Sequence, residues 1–90
     1  MLLMFSVYIL YSPTFDKTYT GQTKDFSNRF LEHNETATKG YSIRYRPWIV
    51  LHIEQYITRS EAMQREKYLK TWAGRIWIKE IVGAFVANGM

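Results

Sequence analysis

Residues 3–11 leave few choices to the fold. Phe5, Val7, Ile9 and Tyr11 alternate with Met4, Ser6, Tyr8 and Leu10, and both sets are largely apolar. A strand turns successive side chains to opposite faces. One that is apolar on both needs cover on both, which predicts a central strand over residues 3–11. Residues 12–17 (Ser-Pro-Thr-Phe-Asp-Lys) have turn chemistry at hairpin spacing. Residues 18–21 are then expected to return antiparallel, leaving Tyr8 and Tyr19 near neighbours on one face.

A helix is predicted to start near residues 23–25, with Thr23 or Asp25 accepting from the unpaired N–H groups of its first turn. Phe26 and Phe30, four apart, form its buried stripe. Arg29 and His33, also four apart, flank that stripe at the border between core and water, and Asn34 is expected to end the helix. Residues 35–47 read as a long polar connection with Lys39, Arg44 and Arg46, either a solvated loop or a nucleic-acid contact. Residues 48–56 form the third strand, with Ile49, Leu51 and Ile53 on its buried face and His52 as a packing residue.

Thr58-Arg59-Ser60-Glu61 fits a capping box, and a second helix is predicted over residues 59–71. Glu66 falls on its core stripe, between Ala62 and Leu69. A carboxylate there needs a partner, and two readings stay open: an ion pair with Lys70, worth only ~0.3–0.5 kcal/mol, or a bound cation. Gly74 is expected to break the helix, residues 75–82 to form a last short helix, and residues 83–90 to fray.

The ordered set Tyr8, Tyr19-Thr20-Gly21, Arg29, His33 and Glu66 within Arg65-Glu66-Lys67 resembles the GIY-YIG nuclease superfamily, in length its small free-standing bacterial type. The resemblance covers residues 7–70. It implies an α/β (α+β) domain, a three-stranded antiparallel sheet with helices packed against it, and metal-dependent phosphodiester hydrolysis. By resemblance Glu66 holds one divalent cation, Mg²⁺ or Mn²⁺, Tyr8 orients or deprotonates water, and Tyr19 binds phosphate or places the nucleophile. Arg29 steadies the charge of the transition state, and His33 accepts a proton or donates a hydrogen bond. Ser6 replaces a frequent Gly, Gln22 a frequent Lys, and Ile78 lies near the spacing of a downstream Asn.

Composition agrees with this picture without requiring it. Ninety residues suit one domain, with a core at about 3–82. A formal charge of +4 favours polyanionic partners. With no cysteine there is no disulfide or thiolate site. No segment approaches the ~18 apolar residues of a membrane span, and residues 1–5 lack the basic flank of a signal sequence; a soluble, cytoplasmic protein with no membrane partner is expected. The leading expectation is an endonuclease acting on DNA, RNA being the less favoured substrate, with Lys39, Arg44, Arg46, Arg59, Arg65 and Lys67 on phosphates. Specificity would come from the 35–47 loop, a homodimer or an accessory protein. The second reading keeps nucleic-acid binding without turnover, and the third is an interaction protein anchored by Trp72 or Trp77.

Overall fold

The computed structural model describes residues 4–89. Its order is β1 (Phe5–Ser12), β2 (Lys17–Thr23), α1 (Phe26–Leu31), a π-helical turn (Glu32–Thr36), a 3₁₀ turn (Tyr41–Tyr45), β3 (Ile49–Tyr56), α2 (Arg59–Leu69) and α3 (Trp72–Ala87). The three strands form one antiparallel sheet in the order β2-β1-β3. The chain is α+β, and β1 is central.

Parity along β1 divides the interior in two. Val7 and Ile9 pack with Ala62, Leu69 and Ile78 of α2 and α3. Tyr8 and Leu10 pack with Trp48 and, around it, Tyr19, Phe26, Phe30 and Tyr45. Both faces are therefore covered, as the alternation of apolar side chains required.

Four expectations change. The run Ile49, Leu51, Ile53 does not share a buried face: Ile53 is 39% exposed. The register shifts between Ile9, opposite His52, and Leu10, opposite Val50. Two residues of β3 there oppose one of β1, and such a bulge resets the alternation. Asn34 does not end its helix; the chain continues into the π turn to Thr36.

Gly74 breaks nothing. It lies in the first turn of α3, where the Thr71 hydroxyl accepts from its N–H at 3.3 Å. The interruption comes earlier, at Lys70 and Thr71, and a Cβ on Gly74 would run into the Tyr68 carbonyl and the Leu69 backbone. The glycine is there for close approach of two helices. Nor does the chain fray after Val82, because α3 continues to Ala87 and Phe85 packs edge-on against Tyr11, centroids 6.3 Å apart. Leu3 and Met90, in the expected first strand and tail, lie outside the described residues. No helix among the described residues is long and apolar enough to cross a membrane.

α2 begins as expected: the Thr58 hydroxyl accepts from the Glu61 N–H at 3.2 Å and donates to the Glu61 carboxylate at 2.8 Å. It is held to β3 by Glu54, whose carboxylate takes two hydrogen bonds from Arg65 at 2.9 and 3.0 Å and one from Tyr56 at 2.6 Å. The other oxygen also meets His52 Nε2 at 2.8 Å. Burial alone would raise the Glu54 carboxyl; Arg65, Tyr56 and His52 outweigh it and hold the group at about 2.

Candidate active site

The β1–β2 register sets Tyr8 opposite Gly21 and Leu10 opposite Tyr19. Both tyrosines therefore share a face, with rings stacked at 6.3 Å and 20°. Gly21 is required by the first of them: a Cβ at this position would lie 2.6 Å from the Tyr8 hydroxyl oxygen. α1, capped by Asp25 accepting from the Asn28 N–H at 3.2 Å, lays Phe26 against Tyr8 with centroids 5.3 Å apart.

His33 arrives on the π turn, a feature that often marks functional positions. It is 2% exposed, with Nε2 2.9 Å from the Tyr8 hydroxyl and its ring 4.5 Å from that of Tyr19. Two neighbours fix this segment. The Arg46 guanidinium donates to the carbonyls of His33 at 2.6 Å, Ala37 at 2.9 Å and Glu32 at 3.0 Å, the last of which also accepts from the Ala37 N–H. The Asn34 amide pairs with both backbone groups of Trp48, at 2.6 and 3.0 Å.

Electrostatics divides the cluster sharply. Burial first, then the Tyr19 and Glu66 charges, push the Tyr8 hydroxyl up to about 12 against the opposing effect of Arg29. Burial, then Arg29 and Arg46, bring the His33 imidazole down to about 4 although Glu32 opposes them. At neutral pH both groups are uncharged. With the imidazole proton on Nδ1, Nε2 accepts from the Tyr8 hydroxyl. Arg29 faces that same hydroxyl and holds its own charge more firmly for it, with Glu32 at 3.2 Å adding to the effect.

Glu66 comes from α2, which packs on β1 and β2. Its side chain is 22% exposed, and Oε2 pairs with Lys70 at 3.0 Å. Oε1 takes no hydrogen bond among the described residues. Of the two readings the sequence left open, the ion pair is present, and the carboxylate keeps an oxygen to spare. No three His, Cys, Asp or Glu side chains converge among the described residues.

The six expected phosphate contacts separate into two groups. Lys39, Arg44, Arg59 and Lys67 are exposed, Arg59 lying over the Phe5 ring at 5.5 Å. Arg46 and Arg65 are committed to the protein: Arg46 to three carbonyls, Arg65 to Glu54 and to the faces of Tyr68 and Trp77, at 5.4 and 5.3 Å. Trp77 is half-buried beneath Arg65, so only Trp72, 80% exposed, is available as an anchor. The sequence reading missed Asn34 as a clamp, and Pro47 beside Trp48 was its only local sign. It also missed the Arg65–Glu54 pair, though an acidic residue inside an apolar strand marked it.

Two phenols and an uncharged buried imidazole meet at the Tyr8–Trp48 cluster, with the partly exposed Arg29 guanidinium at its edge. They sit on a small α+β domain, with the carboxylates of Glu32 and Glu66 both close enough to act on the cluster. A sequence profile of the GIY-YIG catalytic domain matches residues 4–79, and the chain belongs to that nuclease-domain family. It is similar to a UPF0213 protein of Staphylococcus epidermidis, 36% identical over 63 residues, which cover 70% of this chain and 77% of the relative. A UPF0213 protein of Bacillus pumilus is 33% identical over 66 residues, covering 70% of this chain and 67% of that one.

Proposed function

We propose that the protein is a divalent-metal-dependent endonuclease that hydrolyses phosphodiester bonds in DNA, with Tyr8, Tyr19, Arg29 and His33 as catalytic residues and Glu66 as the metal ligand. The single observation that carries the reading is the 2.9 Å hydrogen bond between a protonated phenol and a neutral buried imidazole.

A hydroxyl held at about 12 is a poor base by itself. As a relay it suffices: Tyr8 takes a proton from the attacking water while passing its own to His33 Nε2. The water oxygen bonds to phosphorus and the bond to the leaving oxygen breaks, that oxygen collecting a proton from solvent. His33 then carries the positive charge until it releases its proton; burial, the main cause of its low pKa, makes that state short-lived, and the phosphate anion offsets the further effect of Arg29 and Arg46. Arg29 donates to the non-bridging oxygens as their charge grows. Tyr19, stacked on Tyr8 and tilted against His33, holds their rings and offers its hydroxyl to the phosphate.

The donor set fits a hard cation. One carboxylate with an uncommitted oxygen, and no protein cage among the described residues, suits Mg²⁺ or Mn²⁺, ions that retain water ligands. Held by Glu66, the cation would draw charge from the scissile phosphate and the leaving oxygen.

Glu66→Gln tests the assignment. With Mg²⁺ or Mn²⁺, wild type is expected to cleave single-stranded, duplex or branched DNA, and the variant to bind but turn over at least ~10²-fold more slowly. Equal cleavage by both would reject the assignment. Salt-sensitive binding with no cleavage by wild type would favour the reading as a binding module of the same fold.

A further inference from the structure

Beside the catalytic cluster runs an open trough of about 1110 Å³ between β2 and α3. It exceeds the ~300–1,000 Å³ usual for small-molecule pockets. None of the cations expected from sequence lies in it. Its walls instead carry Lys17, Lys70, Arg75 and Lys79, with the aromatic side chains of Tyr41 and Trp72. Arg75 and Lys79 lie one turn apart on α3, are exposed, and make no ion pair among the described residues. The only acidic residue on the walls, Asp16, accepts from the Tyr11 hydroxyl at 2.9 Å.

The trough is joined to the site by two residues. Tyr19 lines it while stacking on Tyr8 and contacting His33. Lys70 lines it while holding Glu66. From Tyr19 the aromatic path continues to Tyr41, 6.3 Å away and 47% exposed.

Trp72 is the telling residue. At 80% exposure, a large ring at a helix N-terminus contributes little to its own core. Cations along a groove with exposed rings between them are how proteins hold an unpaired strand, since a base stacks on an aromatic face only when it is free of its duplex neighbours.

The structure assigns this trough, on the reading of the protein as a nuclease, to a single strand of nucleic acid flanking the scissile phosphate. Lys17, Arg75 and Lys79 contact its backbone, and Trp72 and Tyr41 stack its bases. The substrate class is therefore one with an unpaired segment beside the cleaved bond: a flap, an overhang or a single strand.

Anisotropy of a fluorescein-labelled 12-nucleotide oligothymidylate, its oligouridylate counterpart and a blunt 12-base-pair duplex tests the assignment in a Glu66→Gln background. Both single strands are expected to bind more tightly than the duplex. Trp72→Ala should weaken single-strand binding about 5- to 100-fold and leave the circular-dichroism melt unchanged. Arg75→Gln with Lys79→Gln should lower the log–log salt slope by about 1.4, whereas the charge-matched pair Arg59→Gln with Lys67→Gln should weaken binding less.

Equal losses from the two pairs, or preference for blunt duplex, would overturn the assignment. So would a concentration-dependent mass that Trp72→Ala abolishes while oligonucleotide binding is unmoved, which would give the trough to a second copy of the chain. The two readings fail separately. Trough-dependent binding without wild-type cleavage removes the nuclease and keeps the trough; Glu66-dependent cleavage insensitive to Trp72, Arg75 and Lys79 does the reverse.

Discussion

Gly21 has no side chain to contribute, yet it controls where Tyr8 can stand. Its missing Cβ is the space into which the phenol extends, 2.6 Å from the hydroxyl oxygen. Gly21→Ala must push the ring toward His33 or open the sheet at its edge strand. The expected result is a loss of turnover of about 10²-fold, since a proton relay fails on displacements of about an ångström. Stability is expected to fall by only about 1–3 kcal/mol. Steady-state cleavage and a urea melt on one preparation check this. Wild-type turnover in the variant would mean the phenol has room to spare and the relay does not need its present position.

Between elements, the decisive contact is α2 on β3. Arg65 reaches Glu54 with two donors and is covered by Tyr68 and Trp77, and its neighbour Glu66 pairs with Lys70. Arg65→Met keeps the hydrocarbon but leaves Glu54 short of its cation. We expect a loss of about 1–3 kcal/mol, read by chemical melts, together with weaker Mn²⁺ binding as Glu66 loses its fixed bearing, read by paramagnetic relaxation of water. Unchanged metal affinity in a destabilised variant would confine Arg65 to stability. This contact also marks where the sequence stopped being informative. That Tyr8 and Tyr19 share a face and His33 lies beside them was legible because strand parity and helical spacing are local, and Glu66 stood out because a carboxylate on an apolar stripe needs a partner, which Lys70 supplies. Arg46 and Arg65 looked like surface cations because the carbonyls and carboxylate that take them lie 9 to 14 residues away in the chain. Gly74 looked like a helix breaker because its neighbours in space are not evident from its neighbours in sequence. The bulge that exposes Ile53 depends on β1, some forty residues earlier.

For the molecule as a whole, the buried polar groups dictate how stability follows pH. His33 sits at about 4 in the fold against 6.5 for a free imidazole, so the unfolded chain binds its proton first. Stability is then full above pH 6.5 and falls as pH drops toward 4, by at most about 3 kcal/mol. Glu54, at about 2, adds a second loss between pH 4.5 and 2. Tyr8 acts at the other end: held at about 12, it contributes below pH 10, and this is lost as pH rises through 12. Calorimetric melts from pH 8 to 3 should show the first decline in wild type and a flatter course between 6.5 and 4 in His33→Gln. Parallel curves would show that the imidazole titrates normally in the fold.

The sheet order has a consequence for the growing chain. Phe5 pairs in register with Tyr56, so the first of the three strands to be synthesised is the middle one, and its second edge stays open until β3 (Ile49–Tyr56) has emerged. The β1–β2 hairpin, α1 and the two turns that follow it come first, and Glu66 has yet to be translated. Tyr8, Tyr19, Arg29 and His33 are thus synthesised well before the strand and helix that complete their surroundings, and a nascent chain carries them in an unfinished sheet.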